Sequence, residues 1–486
     1  MTEGSQVVDE RPPLSRLELL RISLYWLAIS GLWAGLGLQL LPVISQALVC
    51  PAGMDAVTCA TLPAADLRPV FGGLRLHPEV ALGVVLLLGS VVAFVVQPIA
   101  AALSDYTRSR LGRRRPWIIA GTTLDVVFLV ALAAISAGIV GDDANRFLLV
   151  ALLILALQFS SNLAQGPFQG YVPDLVPEPQ VGVASGLVGM MSIGGQLVGA
   201  GIAGIAIAAG QPAAGIVGLA VLEVATMLPA VFGVADRPVE MPERTGGVVA
   251  GARGAIAEAW AHRSFVWLLV SRFFILMTTG TLVALAQFFL TRSLGYTTEE
   301  AAVAIVILLT VTVLSAAVVA ALSGPASDRW GRKRVIWLGC LVGAVGMAAM
   351  AVAPARPELM LGSVRFPVGG LAAVPIGIGA GMFLSVDWAL MVDIIPKVTA
   401  GRYMGISNVV TATSGAIAGA IGGVVIASTT SLTGDAGIGP RVALALTLAF
   451  YAIGALALRN VDGRPYEVQL AARSNPVGEA LPLATG

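Results

Sequence analysis

The sequence contains SDYTRSRLGRRRPW at residues 104–117 and SGPASDRWGRKR at residues 323–334, which are two versions of one pattern. In each version an aspartate comes first, and a glycine and a run of basic residues follow it. Three residues recur at a spacing of 219 positions: Gly112, Arg113 and Arg115 recur as Gly331, Arg332 and Arg334. This match predicts that the chain is built from two related halves.

A second motif recurs at the same spacing. It reads DLVPEPQVG at residues 174–182 and DIIPKVTAG at residues 393–401, so that Asp174 corresponds to Asp393. Two separate motifs in one register are hard to obtain by chance. We therefore expect an internal duplication that covers most of the chain.

The composition indicates a membrane protein. Of the 486 residues, 57% are hydrophobic and 12% are charged, which is about half of the ~25% charge of a soluble domain. Such a chain cannot cover a water-facing surface, which excludes an ordinary soluble enzyme and a basic nucleic-acid binder. Twelve apolar runs are long enough to cross a bilayer as helices, namely 22–49, 79–103, 117–140, 147–171, 183–209, 214–234, 264–290, 300–322, 335–353, 367–391, 403–428 and 440–458.

These runs predict an all-α membrane protein with twelve transmembrane helices in two pseudo-symmetric six-helix bundles. The N-terminal bundle is expected at 1–234 and the C-terminal bundle at 264–458, with a cytoplasmic linker at 235–263 and a cytoplasmic tail at 459–486. Most of the 29 lysines and arginines fall in the termini and in the loops on one side of the membrane. This bias predicts a multi-pass protein of the plasma (cytoplasmic) membrane with both termini in the cytoplasm.

Several chemistries have no residues to support them. Neither lysine, Lys333 or Lys397, lies in a G-x-x-x-x-G-K-[ST] phosphate loop. The two histidines, His77 and His262, lie outside the apolar runs. We therefore expect no enzymatic activity, no cofactor, no metal site and no nucleic-acid partner. Two cysteines, at positions 50 and 59, flank one short polar segment, and whether they form a disulfide depends on the compartment that this segment faces.

The motif at Asp328–Arg334 resembles the signature of the major facilitator superfamily. In the first half, Asp105 stands seven residues before Gly112, and this longer version resembles the sucrose transporters and the glycoside–pentoside–hexuronide cation symporters. LQLLPVISQ at residues 38–46 and NLAQGP at residues 162–167 resemble the same group. The resemblance implies the major facilitator fold and transport by alternating access.

The resemblance also implies a gate built from the repeated motifs. The arginines of the first motif would reach Asp174 and those of the second Asp393. Asp105 and Asp328 would contact helix N-termini of the opposite half when the inner face is closed. A plainer explanation is that cytoplasmic loops are positive in any case. The expected gating residues are Asp105, Gly112, Arg113, Arg114, Arg115, Asp174, Asp328, Gly331, Arg332, Arg334 and Asp393.

An amide stripe on the fourth span is the candidate substrate site. Gln158, Asn162, Gln165 and Gln169 share one helical face. Amides both donate and accept hydrogen bonds, which suits a hydroxyl-rich ligand, although such a stripe also serves to hold helices together. Because the resemblance implies that spans 1, 4, 7 and 10 line the cavity, the expected substrate-binding residues are Gln39, Gln46, Gln158, Asn162, Gln165 and Gln287.

The coupling residues are harder to assign. Where sucrose transporters carry an aspartate before the N-x-x-Q-G-P stretch and an arginine after it, this chain has Gln158 and Gln169. Four ionisable residues in the spans are candidates instead: Arg272, Asp387, Glu223 and Asp125. We expect Arg272 and Asp387 to form the functional pair, while structural hydrogen bonds are the favoured interpretation of the other two.

These features predict a secondary active transporter, in which a cation, the proton, drives symport of a sugar or glycoside. Its partners would be a small-molecule substrate, the coupling proton and the lipid bilayer. A drug or metabolite exporter of the same fold is the alternative. A non-transporting membrane sensor is a third interpretation, weakened by the lack of a signalling domain.

Overall fold

The computed structural model describes residues 12–139, 145–234, 260–354, 358–361, 364–395 and 400–464. Within these residues, twelve helices are long and apolar enough to cross a membrane. The predicted twelve-helix membrane fold is confirmed. Of the predicted linker, residues 235–259 lie outside the described residues, as do residues 465–486 of the predicted tail.

The first half contains helices α1 to α6. Their bounds are Arg16–Val49, Pro78–Asp105, Arg115–Ser136, Arg146–Leu175, Val181–Ala208 and Pro212–Phe232. A short helix, Ala56–Thr61, follows α1. Next to it, Cys50 and Cys59 form a disulfide.

The second half contains helices α7 to α12. Their bounds are Arg263–Ser293, Thr298–Trp330, Arg332–Ala351, Ala373–Ile394, Ala400–Thr433 and Ile438–Arg459. One small departure from an all-α fold lies between α9 and α10. There, β1 (Glu358–Leu361) and β2 (Val364–Pro367) form an antiparallel hairpin, so that α10 begins six residues later than the apolar run predicts.

The two halves repeat one packing scheme. In the first half α4 packs on α2 and α3, and α1 packs on α5 and α6. In the second half α10 packs on α8 and α9, and α7 packs on α11 and α12. The duplication in the sequence therefore corresponds to a duplication of structure.

The repeated glycine of the motif has the same backbone conformation in both halves. Gly112 has φ of 91° and Gly331 has φ of 88°, a region that residues with a side chain rarely adopt. Each glycine turns the chain sharply between two helices, and the basic residues after it therefore begin or precede the next helix, α3 or α9.

The halves meet at one end of the bundle. We call the end with Cys50–Cys59 the disulfide face, and the end with Arg113 and Arg332 the arginine face. At the disulfide face α2 packs on α11 and α5 packs on α8. The contact is so close that a Cβ atom at Gly83 of α2 would lie 2.9 Å from the Cα of Ala420 in α11.

The same helices separate towards the arginine face. In α5 a Cβ atom at Gly182, Gly186 or Gly189 would find nothing within 4 Å, and the same holds for Gly324 in α8. Apolar side chains there are open to the surroundings, with Val183 59% exposed and Leu322 67% exposed. The bundle is therefore closed at the disulfide face and open at the arginine face.

Candidate functional site

The first arginine cluster holds Asp174 of α4 against the start of α3. Arg113 donates two hydrogen bonds to this carboxylate, at 2.6 Å from Nη2 and 3.1 Å from Nε. Arg114 also pairs with Asp174, and its Nη2 lies 2.9 Å from Asp105 at the end of α2. Two carboxylates and two guanidinium groups thus tie three helices together.

The second cluster repeats this arrangement with fewer charges. Arg332 donates from Nε to Asp393 of α10 at 2.5 Å, and its Nη1 lies 3.2 Å from Asp328. The predicted approach of the arginines to Asp174 and Asp393 is therefore present in both halves. In this conformation Asp105 and Asp328 contact arginines of their own half, and Asp328 is 65% exposed.

A basic residue of each motif also binds the end of the sixth helix in its half, which the sequence reasoning missed. Arg115 donates to the Val234 carbonyl oxygen at 2.6 Å, just beyond α6. Lys333 donates to the carbonyl oxygens of Arg459 and Val461 at 3.2 and 2.7 Å, at the end of α12. Cations are favourable at helix C-termini because the free carbonyl groups point there.

An ion pair across the halves closes the disulfide face. Arg292 of α7 donates from Nη1 and Nη2 to the two carboxylate oxygens of Glu79 in α2, at 2.9 and 2.8 Å. Both side chains are buried, and the guanidinium lies 4.9 Å from the Phe288 ring centroid. Burial lowers the pKa of the neighbouring His77.

The sequence reasoning missed this pair because both residues fell at or beyond the predicted ends of spans. Arg292 lies beyond the predicted span 264–290, and the structure places it in the π-helical turn Phe289–Ser293 that ends α7. A similar π-helical turn, Leu36–Leu40, interrupts α1. The two turns lie in corresponding first helices of the halves, and π-turns are frequent at functional sites.

The amide stripe of α4 is partly accessible. Asn162 is 5% exposed and donates from Nδ2 to the backbone oxygen and the Oε1 of Gln158, at 2.8 and 3.2 Å. Gly89 of α2 leaves room for the Gln158 side chain. Gln165 is half-buried and Gln169 is exposed, so the stripe becomes more accessible towards the arginine face.

The other three predicted substrate ligands do not join this stripe. Gln39 is fully buried and donates to the Ala200 carbonyl oxygen of α5 at 2.8 Å, so it holds two helices together. Gln287 is also buried and donates to the Thr298 carbonyl oxygen. Gln46 borders a cleft of about 300 Å³ at the disulfide face, together with Thr298. In this conformation Gln39 and Gln287 are buried against neighbouring helices and Gln46 borders a different cleft, and a role of these three in substrate binding stays a prediction.

Arg272 of α7 and Asp387 of α10 form the expected ion pair. Both are buried, at 7% and 1% exposure, and Arg272 also donates from Nε and Nη2 to the Thr411 hydroxyl of α11, at 3.2 and 3.1 Å. In the 219-residue register, Asp387 corresponds to Phe168, which packs edge-on against Tyr25 at 4.9 Å.

Asp125 of α3 and Glu223 of α6 come together inside the first half. Their carboxyl groups interact with each other, and the residues are 0% and 2% exposed. Ser161 of α4 donates to both Asp125 oxygens, at 3.0 and 3.1 Å, and Ser160 donates as well. The sequence singled out both carboxyl groups but did not predict that they touch.

The fold and the paired arginine clusters agree with a comparison against family models. Residues 48–420 match the model of the Major Facilitator Superfamily. The chain belongs to this superfamily. It is a multi-pass membrane transporter, and proteins of this kind are not enzymes.

The more specific resemblance is confined to part of the chain. A sucrose transport protein of Oryza sativa subsp. indica, SUT4, is 34% identical over 115 residues, which are 21% of this chain and 19% of that protein. The membrane-associated transporter protein of Homo sapiens is 28% identical over 127 residues, or 24% of this chain and 23% of that protein. The matched segments thus span less than a quarter of these relatives.

Solved transporter structures share the whole fold. A D-xylose–proton symporter superposes with a TM-score of 0.62 over 92% of this chain and 98% of that one, at 16% identity. A bacterial homologue of the human lysosomal transporter Spinster, in an inward-facing and unoccupied conformation, gives a TM-score of 0.66 with the same coverage at 13% identity. At these identities the likeness concerns the fold.

Proposed function

We propose that this transporter is a proton-coupled symporter of a sugar or glycoside. The amide stripe on α4 carries the proposal. Gln158, Asn162 and Gln165 offer carbonyl oxygens and N–H groups on one helical face, which matches the alternating donors and acceptors of a polyol. Because the stripe becomes more accessible towards the open face, a substrate could reach it in this conformation.

The orientation of the open face is part of the proposal. The positive-inside bias supports a cytoplasmic arginine face, so the conformation would be inward-open. The Cys50–Cys59 disulfide agrees with a disulfide face that meets an oxidising compartment outside the cytoplasm. In this orientation both termini are cytoplasmic, and the plasma membrane is the proposed location.

Alternating access then requires the disulfide face to open and the arginine face to close. The Glu79–Arg292 pair must break for the disulfide face to open. At the arginine face, Asp105 and Asp328 are free to move from arginines of their own half towards helices of the other half. The matched gating clusters support two conformations whose populations a bound substrate and a proton would shift.

The test is uptake into proteoliposomes that contain the purified protein. Radiolabelled disaccharides, glycosides and monosaccharides are presented with and without an inward proton gradient. We expect one of these sugars to accumulate above its external concentration with the gradient, and to equilibrate without it. Gln165→Leu is expected to lower uptake, while Gln196→Leu, an amide on α5 outside the proposed site, serves as the matched control.

The alternatives predict other outcomes in the same vesicles. An exporter would move amphipathic cations against their gradient and would ignore sugars. A sensor would show no flux of either class. Either result would contradict the sugar symport proposed here.

A further inference from the structure

Asp125 and Glu223 are two buried carboxyl groups that interact with each other. Ionised carboxylates only accept hydrogen bonds and repel one another, so close approach of two buried carboxyl groups favours a proton on one of them. Both groups are buried, and no lysine or arginine of the described chain pairs with either of them. Two such carboxylates at close range cannot both be charged at neutral pH.

The surrounding donors indicate which group holds the proton. Asp125 accepts hydrogen bonds from the hydroxyl groups of Ser160 and Ser161 of α4, so two donors converge on its carboxylate. Glu223 Oε2, in contrast, has no hydrogen-bond partner among the described residues. The arrangement fits an ionised Asp125 and a protonated Glu223.

Few titratable side chains surround Asp125 and Glu223. The Tyr25 hydroxyl of α1 bonds to Thr122 and interacts electrostatically with both carboxyl groups. The other charged side chains on the adjoining helices α1, α3 and α4 lie near helix ends, namely Arg16, Glu18, Arg21, Arg115, Arg146 and Asp174. Asp125 and Glu223 lie near the middle of α3 and α6, away from these helix ends.

We propose that the Asp125–Glu223 pair is the site at which the coupling proton binds and leaves. The serines connect this site to the substrate stripe, because Ser160 and Ser161 lie between Gln158 and Asn162 on α4. A change in the charge of Asp125 changes the hydrogen bonds that hold this segment of α4. The inference rests on the proposed symport and assigns to this pair the role for which the sequence favoured Asp387.

The Arg272–Asp387 pair differs from the Asp125–Glu223 pair because it contains a cation. There a guanidinium neutralises the carboxylate, and the Thr411 hydroxyl accepts from Nε and Nη2 of the arginine. The charge of Asp387 is thus balanced without a proton, although its Oδ1 has no hydrogen-bond partner among the described residues, and the pair ties α7, α10 and α11 together. Its proposed role is structural.

The decisive variant is Glu223→Gln. The glutamine amide has nearly the same size and can donate a hydrogen bond to a carboxylate, but it cannot release a proton. In proteoliposomes we expect sugar counterflow to continue, while accumulation driven by a proton gradient falls to the level reached without one. The matched control is Thr226→Val, on the same helix, whose hydroxyl bonds only to backbone oxygens of its own helix; it should accumulate sugar like the wild type.

Unchanged gradient-driven accumulation in Glu223→Gln overturns the inference and leaves sugar symport standing. A wild type that equilibrates a sugar but never concentrates it in a proton gradient contradicts the proposed coupling itself. If Glu223→Gln fails to fold, infrared spectroscopy of the wild type decides. A protonated carboxyl band that shifts when sugar binds supports the inference, and the absence of such a band at neutral pH overturns it.

Discussion

Glu79 and Arg292 form a doubly hydrogen-bonded ion pair between the two halves of the chain, and neither side chain retains contact with solvent. The two residues are 213 positions apart and meet only because α2 and α7 converge at the disulfide face. Breaking such a pair by removing one partner leaves a buried charge, which costs about 3–5 kcal/mol. Because opening of the disulfide face would separate the two residues, we expect the pair to stabilise the conformation in which this face is closed.

The first prediction concerns this pair. Arg292→Gln should shift the population towards a conformation that is open at the disulfide face, because the uncompensated Glu79 carboxylate gains hydration on opening. The measurement is maleimide labelling of Ala302→Cys, a position with no exposed surface in the closed bundle, in a Cys340→Ala background. Labelling should be faster with Arg292→Gln than without it.

The exchange Glu79→Arg with Arg292→Glu is the control for this experiment. It restores opposite charges across the halves and should return labelling towards the wild-type rate. Equal labelling rates in all three proteins would show that the pair has no influence on closure.

The second prediction concerns the arginine face. Asp105→Asn removes the charge that pairs with Arg114 and that would meet the opposite half in the closed state. Sugar binding should be retained, transport should slow, and an introduced cysteine at Val183 should become more accessible. Asp66→Asn, in the loop at the other face, is the charge-matched control. A transport rate like that of the wild type in Asp105→Asn would refute the gating role.

The sequence predicted the helices well and their tertiary contacts less well. Apolar runs located all twelve spans, but charged end turns were missed: α1 begins at Arg16 rather than residue 22, and α8 continues to Trp330 beyond Asp328. Hydropathy cannot find such turns because they extend beyond the apolar region. The contact of the repeated arginines with Asp174 and Asp393 was implied by the resemblance to the major facilitator superfamily.

No motif in the sequence predicted the contacts between side chains of helices that are far apart in the chain. The meeting of Asp125 and Glu223 depends on how α3 packs on α6, and the Glu79–Arg292 pair depends on which end of the bundle is closed. For Gln39 the sequence indicated the chemistry of the side chain but not its contacts. Its amide has the chemistry of a sugar ligand, but the helix rotation that places it against α5 is a property of the folded bundle.

The third prediction separates ligands from helix contacts among the amides. Asn162→Leu and Gln165→Leu should each weaken sugar binding by about 1–3 kcal/mol, the usual effect of an unpaired polar partner, or about 5- to 150-fold in Kd. Thermal stability should change little. Gln39→Leu should do the opposite, because it breaks the buried bond to Ala200 and leaves that carbonyl oxygen without its donor. Isothermal titration and thermal unfolding of the same samples give both quantities, and a stability loss without an affinity loss at Gln165 would make it a helix contact.

The last prediction concerns Arg272 and Asp387. Asp387→Asn keeps an oxygen that can accept from Arg272 but removes the negative charge that balances the buried guanidinium, so we expect a lower apparent Tm, because an uncompensated buried charge is unfavourable. The double variant Arg272→Gln with Asp387→Asn removes both charges and should recover most of the lost stability. Because the pair is assigned a structural role, folded Asp387→Asn should still concentrate sugar in a proton gradient. If Asp387→Asn instead keeps counterflow and loses accumulation while Glu223→Gln retains it, then the coupling proton belongs to α10 and the assignment of the two acidic centres is reversed.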